Sequence, residues 1–248
     1  MSTVYIMWLR QMIRYFRSPP RIVAALAQPL LYMLAFGYGF GAIYRMAGQG
    51  SYLSFLAPGI LGMSILFTSI FSGMELIWDR QFGFLKETLA APVSRITVML
   101  GRTAGGATVA TFQAAIVLAL AMLLGFRPQS WLMLPGTLVV MFVVALMFTT
   151  LGTWFAALLS DFQGFQMIMN FLVMPMFFLS GAMFPLDHVP RELQFIARCD
   201  PLSYGIDAFR TLLLGTSHFG LLLDAAVLVG VTTLFMLGAS RAFSRIEA

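Results

Sequence analysis

The sequence predicts an all-α membrane protein with six transmembrane helices, and three observations carry that prediction. Hydrophobic residues make up 60% of the 248 and charged residues only 10%, against about 25% charged in an ordinary soluble domain. Five stretches free of Asp, Glu, Lys and Arg are Ile22–Tyr44, Met46–Met74, Thr103–Phe126, Pro128–Ser160 and Phe162–Leu186. Each exceeds the ~20 residues a helix needs to cross a ~30 Å hydrocarbon layer. They are continuously apolar, rich in Leu, Met, Ala and Phe, where a barrel strand would alternate over about 9–11 residues. Helices satisfy their own backbone in lipid and are the remaining choice.

Taken in order, residues 3–17 set Val4, Ile6, Trp8, Leu9, Met12, Ile13 and Phe16 among Arg10, Arg14 and Arg17. The segment is too short and too charged to span. It predicts an N-terminal interfacial helix, with Trp8 at headgroup level and Trp8, Arg10 and Arg14 as its anchor. A simple extension of the first span is the competing reading, but Ser18-Pro19-Pro20 favours a break. The first span covers about 22–44 and, with more spans behind it, reads as retained and not as a cleaved signal. The second runs over about 52–77, with Pro58-Gly59 as a kink or packing point. Spans three (103–126) and four (131–159) form a tight hairpin around Arg127-Pro128. Span five (163–185) follows through the short turn at Ser160–Gln163. The sixth gap, Ala225–Ser240, reaches only about 24 Å at 1.5 Å per residue, so this span is placed at 219–241 with Asp224 in its end turn.

Two connections exceed what a hairpin needs. Residues 78–102 are amphipathic and charged. Residues 187–218 predict a short helix at 190–198 and another over 203–214 with the Tyr204, Ala208 and Leu212 rows buried. Ten Lys and Arg residues fall on the side of the N-terminal segment, the 78–102 connection and the tail, and five on the other side. The positive-inside rule then places both termini in the cytoplasm. The net charge of +5 is spread over juxtamembrane positions, which fits topology and anionic lipid better than nucleic acid. The single cysteine, Cys199, has no partner for an intramolecular disulfide.

Several chemistries lack their residues. A phosphate-cradling loop ends in Gly-Lys-Ser/Thr, yet the one lysine, Lys86, follows Phe84-Leu85. The two histidines, His188 and His218, have no metal-ligand spacing, so no metal site is assigned. Ion-coupled carriers keep ionisable groups near the midplane, whereas Glu75 and Asp224 stand at the ends of spans two and six. Asn170 and scattered Ser and Thr keep ion coupling open as an alternative.

Two segments carry a resemblance. The first reads Arg80-Gln-Phe-Gly83-Phe84-Leu85-Lys86-Glu87-Thr-Leu89-Ala-Ala-Pro92-Val93-Ser-Arg95, followed by Leu100-Gly101-Arg102. The second reads Ser180-Gly181-Ala-Met-Phe184-Pro185-Leu-Asp187-His-Val-Pro190, then Asp200-Pro201-Leu-Ser-Tyr204-Gly-Ile-Asp207-Ala-Phe-Arg210. Together, in this order and on opposite predicted faces, they resemble the ABC-type drug- and polysaccharide-export permeases, in particular the daunorubicin-resistance-like transmembrane subunit. Asp200 departs from the Asn more often expected before that Pro. An interfacial loop helix would share the amphipathicity of 80–95, but the sixteen-residue pattern favours a coupling helix.

The resemblance implies a multi-pass inner-membrane permease of an ATP-driven exporter, of multidrug type or moving another hydrophobic or amphiphilic cargo such as a secondary metabolite, lipid or lipid-linked glycan. It would pair as a homodimer or heterodimer and dock two cytosolic ABC ATPase subunits. No cofactor is expected on this chain, which is not itself an enzyme; ATP and Mg belong to the partner ATPase. In the cytoplasmic coupling helix, Phe84, Leu85, Leu89 and Val93 would face the ATPase, rimmed by Arg80, Lys86 and Glu87 and bounded by Gly83, Pro92 and Arg95. Spans two and five would line the cargo path through Phe67, Phe71, Met74, Met167, Asn170, Phe171, Met174 and Phe178, a flexible Met and aromatic surface suited to amphiphiles. An outer helical loop between spans five and six would gate the path through Phe184, Pro185, Asp187, Pro201, Tyr204, Asp207 and Arg210. A membrane scaffold that binds an ATPase without moving cargo is the other alternative.

Overall fold

A computed structural model describes residues 2–46, 51–186 and 189–245. Among these the chain is helical with no strand. Helix α1 (Thr3–Phe16) is capped by the Ser2 hydroxyl accepting from the Tyr5 amide. It breaks at Arg17-Ser18, and α2 (Pro19–Gly39) starts on two prolines, which need no helical donor there. A short α3 (Gly41–Met46) follows. Helices α4 (Tyr52–Ser72) and α5 (Met74–Gln81) are one span notched at Gly73. Next come α6 (Phe84–Ala90), α7 (Arg95–Leu123), α8 (Leu134–Leu158) and α9 (Phe162–Leu179). Then come α10 (Arg191–Cys199), α11 (Pro201–Leu214) and α12 (Leu221–Ser244). Six of these elements are long and apolar enough to cross a membrane.

The centre of the bundle is α4, α7 and α8, with α12 laid along α8 and α2 along α4. Lipid is as apolar as these side chains, so packing has to hold the helices together, and small residues let them close. A Cβ on Gly73 would lie 2.4 Å from the Gly152 carbonyl carbon, and one on Gly152 would lie 2.4 Å from the Ile70 carbonyl oxygen; only glycine fits at this crossing. Helix α2 meets α7 through a polar contact. Pro29 lacks the amide that would bond Ala25, and the freed Ala25 carbonyl accepts instead from Gln113 Nε2 on α7 at 3.3 Å.

Several bounds and placements differ from the sequence expectations. The second span runs to Gln81, because at about 45 Å its last turns clear the hydrocarbon and can carry charge. Helix α7 begins at Arg95, eight residues before Thr103, for the same reason. Helix α11 does not lie on the surface. Leu202 through Phe209 are all buried, and it inserts among α4, α8 and α12. Trp8 is not free at headgroup level; its Nε1 donates to Thr108 Oγ1 on α7 at 3.0 Å.

Candidate functional site

At the end of the bundle that carries α1, helices are joined by charge. Arg10 and Arg14 are four residues apart, and so are Glu75 and Asp79, so each pair occupies one face of its helix. Arg10 and Arg14 each reach Asp79 Oδ1 at 3.1 Å, Arg14 also reaches Glu75 Oε2 at 3.1 Å, and Arg21 reaches Glu75 Oε1 at 2.7 Å. Arg102 of α7 pairs with the other Asp79 oxygen. Asp79 and Arg102 are both buried, and two carboxylates thus tie α1, α2, α5 and α7 together. Along α7, Gly101 and Gly105 let α1 approach: a Cβ on Gly101 would lie 2.6 Å from Met7 Cβ, and one on Gly105 2.7 Å from Gln11 Cβ. The anchor formed by Trp8, Arg10 and Arg14 therefore grips the protein's own spans, a correction to the lipid-facing role expected of it.

Beside this joint stands the 80–95 segment. Gly83, at φ 80°, turns the chain into α6. Phe84, Lys86, Glu87, Pro92 and Arg95 are exposed, and Arg80 is half-buried. Leu85 is 1% exposed, which overturns its expected place on the presented face: it pins α6 to the bundle. Val93 is likewise packed against the core. The Leu89 side chain lies outside the described residues. Arg95 Nη1 donates to the Ser244 carbonyl at 2.8 Å, linking the segment to the end of α12. Two exposed aromatics were not anticipated, Trp78 and Phe82. Their rings meet at 6.2 Å, and Trp78 also meets Phe162 at the start of α9 at 6.0 Å. With Phe84 they make an exposed aromatic surface around α6.

At the opposite end, side chains hold loop backbone. Asp207 accepts from the His218 amide (2.9 Å) and the Phe219 amide (2.7 Å). Arg210 donates to the Gly181 carbonyl at 2.7 Å and lies 4.3 Å from the centroid of Phe55. Tyr204 stacks on Phe219 at 4.8 Å and donates to the Arg198 carbonyl at 2.8 Å. Asp200 caps α11 through the Leu202 amide at 2.9 Å. Burial pushes its carboxyl up to about 7, while the Leu202 amide works in the other direction. Phe184, Pro185 and Pro201 are half-buried along this cap; Asp187 lies outside the described residues. Pro185, Asp207 and Arg210 border a cavity of about 510 Å³.

The expected path residues are not brought together within one chain. Phe67 and Phe71 stack on each other at 6.2 Å and line a cavity of about 310 Å³ between α2, α4 and α7; Met74 is half-buried a turn beyond. On α9, Met167, Asn170, Phe171, Met174 and Phe178 are exposed, Phe171 to 83%. They form an outward face of the bundle. Sequence reasoning passed over Asp79, although its i, i+4 match to Glu75, facing Arg10 and Arg14 at the same spacing, was a usable signal. Trp78 and Phe82 gave none, since an aromatic beside a span reads as lipid-facing.

Residues 2–214 match the family model described as ABC-2 type transporter. The chain is 31% identical over 211 residues to Nodulation protein J of Rhizobium leguminosarum bv. trifolii, covering 84% of this chain and 80% of that protein. It is 30% identical to the putative transport permease ycf38 of Cyanophora paradoxa, covering 84% and 73%. With the inner membrane transport permease YadH of Escherichia coli K12 it shares 25% identity, covering 93% and 90%. Six apolar helices, a family match over most of its length and these relatives together establish that the chain belongs to the ABC-2 type transporter family, as a multi-pass membrane permease subunit.

Proposed function

We propose that this permease is the membrane half of an ATP-driven exporter that moves a hydrophobic or amphiphilic cargo, such as a drug, secondary metabolite, lipid or lipid-linked glycan, out of the cytoplasm. The α1 end faces the cytoplasm of an inner membrane, with both termini on that side, and docks a separate ABC ATPase that carries ATP and Mg. Two permease subunits, identical or similar, meet through outward faces that include α9, where Met167, Asn170, Phe171, Met174 and Phe178 supply a Met and aromatic lining. The α10–α11 cap closes the far side, with Phe184, Pro185, Asp187, Pro201, Tyr204, Asp207 and Arg210 at its edges.

The observation that carries this reading is the joint at the α1 end. An exposed aromatic surface on α6 and its neighbours sits directly beside four arginines and two carboxylates that tie α1, α2, α5 and α7 together. A push on α6 is thereby passed to three spans at once. The test is ATP turnover by the cognate ATPase in lipid vesicles, with the intact chain and with Phe84→Asp/Phe82→Ser. The exporter reading requires the intact chain to bind the ATPase and alter its turnover, and the doubly substituted chain to lose both while inserting normally. Equal behaviour of the two would sink it.

One feature favours ion coupling instead. Asp224, although in the first turn of α12, is fully buried beside Asp207, and carboxylates buried within membrane proteins commonly serve ions or protons. Cargo movement driven by an imposed proton or sodium gradient without ATP would decide for that alternative.

A further inference from the structure

The cavity between α2, α4 and α7 has a composition that packing alone does not account for. Tyr15, Ser64 and Gln113 line it and are 5%, 3% and 2% exposed. Among the described residues the Tyr15 hydroxyl, the Ser64 hydroxyl and Gln113 Oε1 have no hydrogen-bond partner. Buried polar atoms are nearly always paired, and leaving one unpaired forfeits its hydration for nothing. Three around a single void of about 310 Å³ point to a ligand that pairs them.

The chemistry of that ligand follows from which atoms are free. Gln113 Nε2 is committed to the Ala25 carbonyl, which can only accept, so the amide orientation is fixed and Oε1 is left needing a donor. A carboxylate or fully ionised phosphate head accepts only and cannot serve it. Arg21 also lines the cavity, and its pairing with Glu75 leaves it less charge to offer an anion; a cationic head would meet it as a like charge. The stacked Phe67 and Phe71 rings and Met63 supply an apolar wall along the same void.

We propose that this cavity binds one amphiphile whose uncharged, hydrogen-donating head, a hydroxyl or amide, pairs with Gln113, Ser64 and Tyr15 while its apolar body lies along Phe67 and Phe71. The site is complete within one subunit and needs neither the ATPase nor a second copy, so it stands apart from the exporter reading. A transported cargo and a resident hydroxylated lipid present the same chemistry.

Native mass spectrometry of the full chain, released from zwitterionic micelles, tests this with three probes of equal tail length: dodecyl glucoside, dodecyl phosphate and dodecyltrimethylammonium. The chain is expected to retain one dodecyl glucoside at least tenfold more tightly than either charged probe. Tyr15→Phe/Ser64→Ala should lose about tenfold in that affinity yet keep the ligand-free unfolding temperature, because those hydroxyls hold nothing among the described residues. Val109→Phe, filling the same void from α7, should abolish retention. Equal retention by the intact and substituted chains, or equally tight binding of the charged probes, would overturn the proposal. So would a lower ligand-free unfolding temperature for Tyr15→Phe/Ser64→Ala. One hydroxylated lipid carried through extraction identifies a resident lipid, and a site that extracts empty and takes up glucoside at once identifies a cargo site; both outcomes support the site.

Discussion

At the α1 end, charged side chains join helix to helix; at the α10–α11 end, side chains join helix to loop backbone. Ion pairs between helices tolerate sliding, because each carboxylate of Glu75 and Asp79 already has more than one arginine within reach and can trade partners as the helices shift. Asp207, accepting from the 218 and 219 amides, and Arg210, donating to the Gly181 carbonyl, grip backbone groups instead and fix loop shape. The first arrangement suits transmission of movement, and the second suits holding a lid in register.

The largest expected effect separates the two ends most sharply. Asp79→Ala strands buried Arg102 and two further arginines, and breaking a buried pair typically costs about 3–5 kcal/mol. Thermal unfolding in lipid should show a drop of that order, with α1 detaching. Gly105→Leu attacks the same end without touching charge, by wedging Gln11 away from α7; overpacking of this kind costs about 1–3 kcal/mol. It should expose Trp8 to a water-soluble fluorescence quencher. At the other end, Asp207→Asn keeps an acceptor and loses only the charge, about 1 kcal/mol. Hydrogen exchange should rise at 215–220 and nowhere near α1. A spread of that loosening to α5 would erase the distinction between the ends.

The last prediction concerns pH. The Asp200 carboxyl titrates near 7 in the folded chain, against an ordinary 3.8. A raised carboxylate pKa means that the folded state holds its proton longer, so stability is full below pH 4, falls as pH rises towards 7, and is flat beyond. Asp200→Asn can still cap the Leu202 amide. It should therefore raise the unfolding temperature at pH 8, match the unsubstituted chain at pH 4, and remove this slope between them.

The six spans were legible because apolar length is read directly from sequence, and α1 and α6 were legible from the prolines at 19–20 and 92. What escaped was which side each amphipathic face turns. Leu85 and Phe84 are adjacent and equally apolar, yet one is buried and the other exposed; that depends on where α5 delivers the chain after Gly83, a tertiary fact. Trp8 likewise had two plausible homes, the headgroup layer and the Thr108 hydroxyl, and only the approach of α1 over Gly101 and Gly105 selects between them. In the α10–α11 region both helices and the buried Tyr204 and Ala208 rows were legible from the apolar spacing, but the burial of every residue from Leu202 to Phe209 was not. Asp200, Asp207 and Arg210 bind particular backbone groups, the Leu202, His218 and Phe219 amides and the Gly181 carbonyl, and which groups these are no sequence pattern displays.

The bond from Gln113 to the Ala25 carbonyl has a consequence for biogenesis. Helix α2 enters the bilayer with a carbonyl that Pro29 has stripped of its partner, and the residue that satisfies it lies 88 positions later. At about 5–20 residues per second, a ribosome takes roughly 4–18 s to supply it. During that interval the first span carries a carbonyl that its partner on the third span has yet to satisfy.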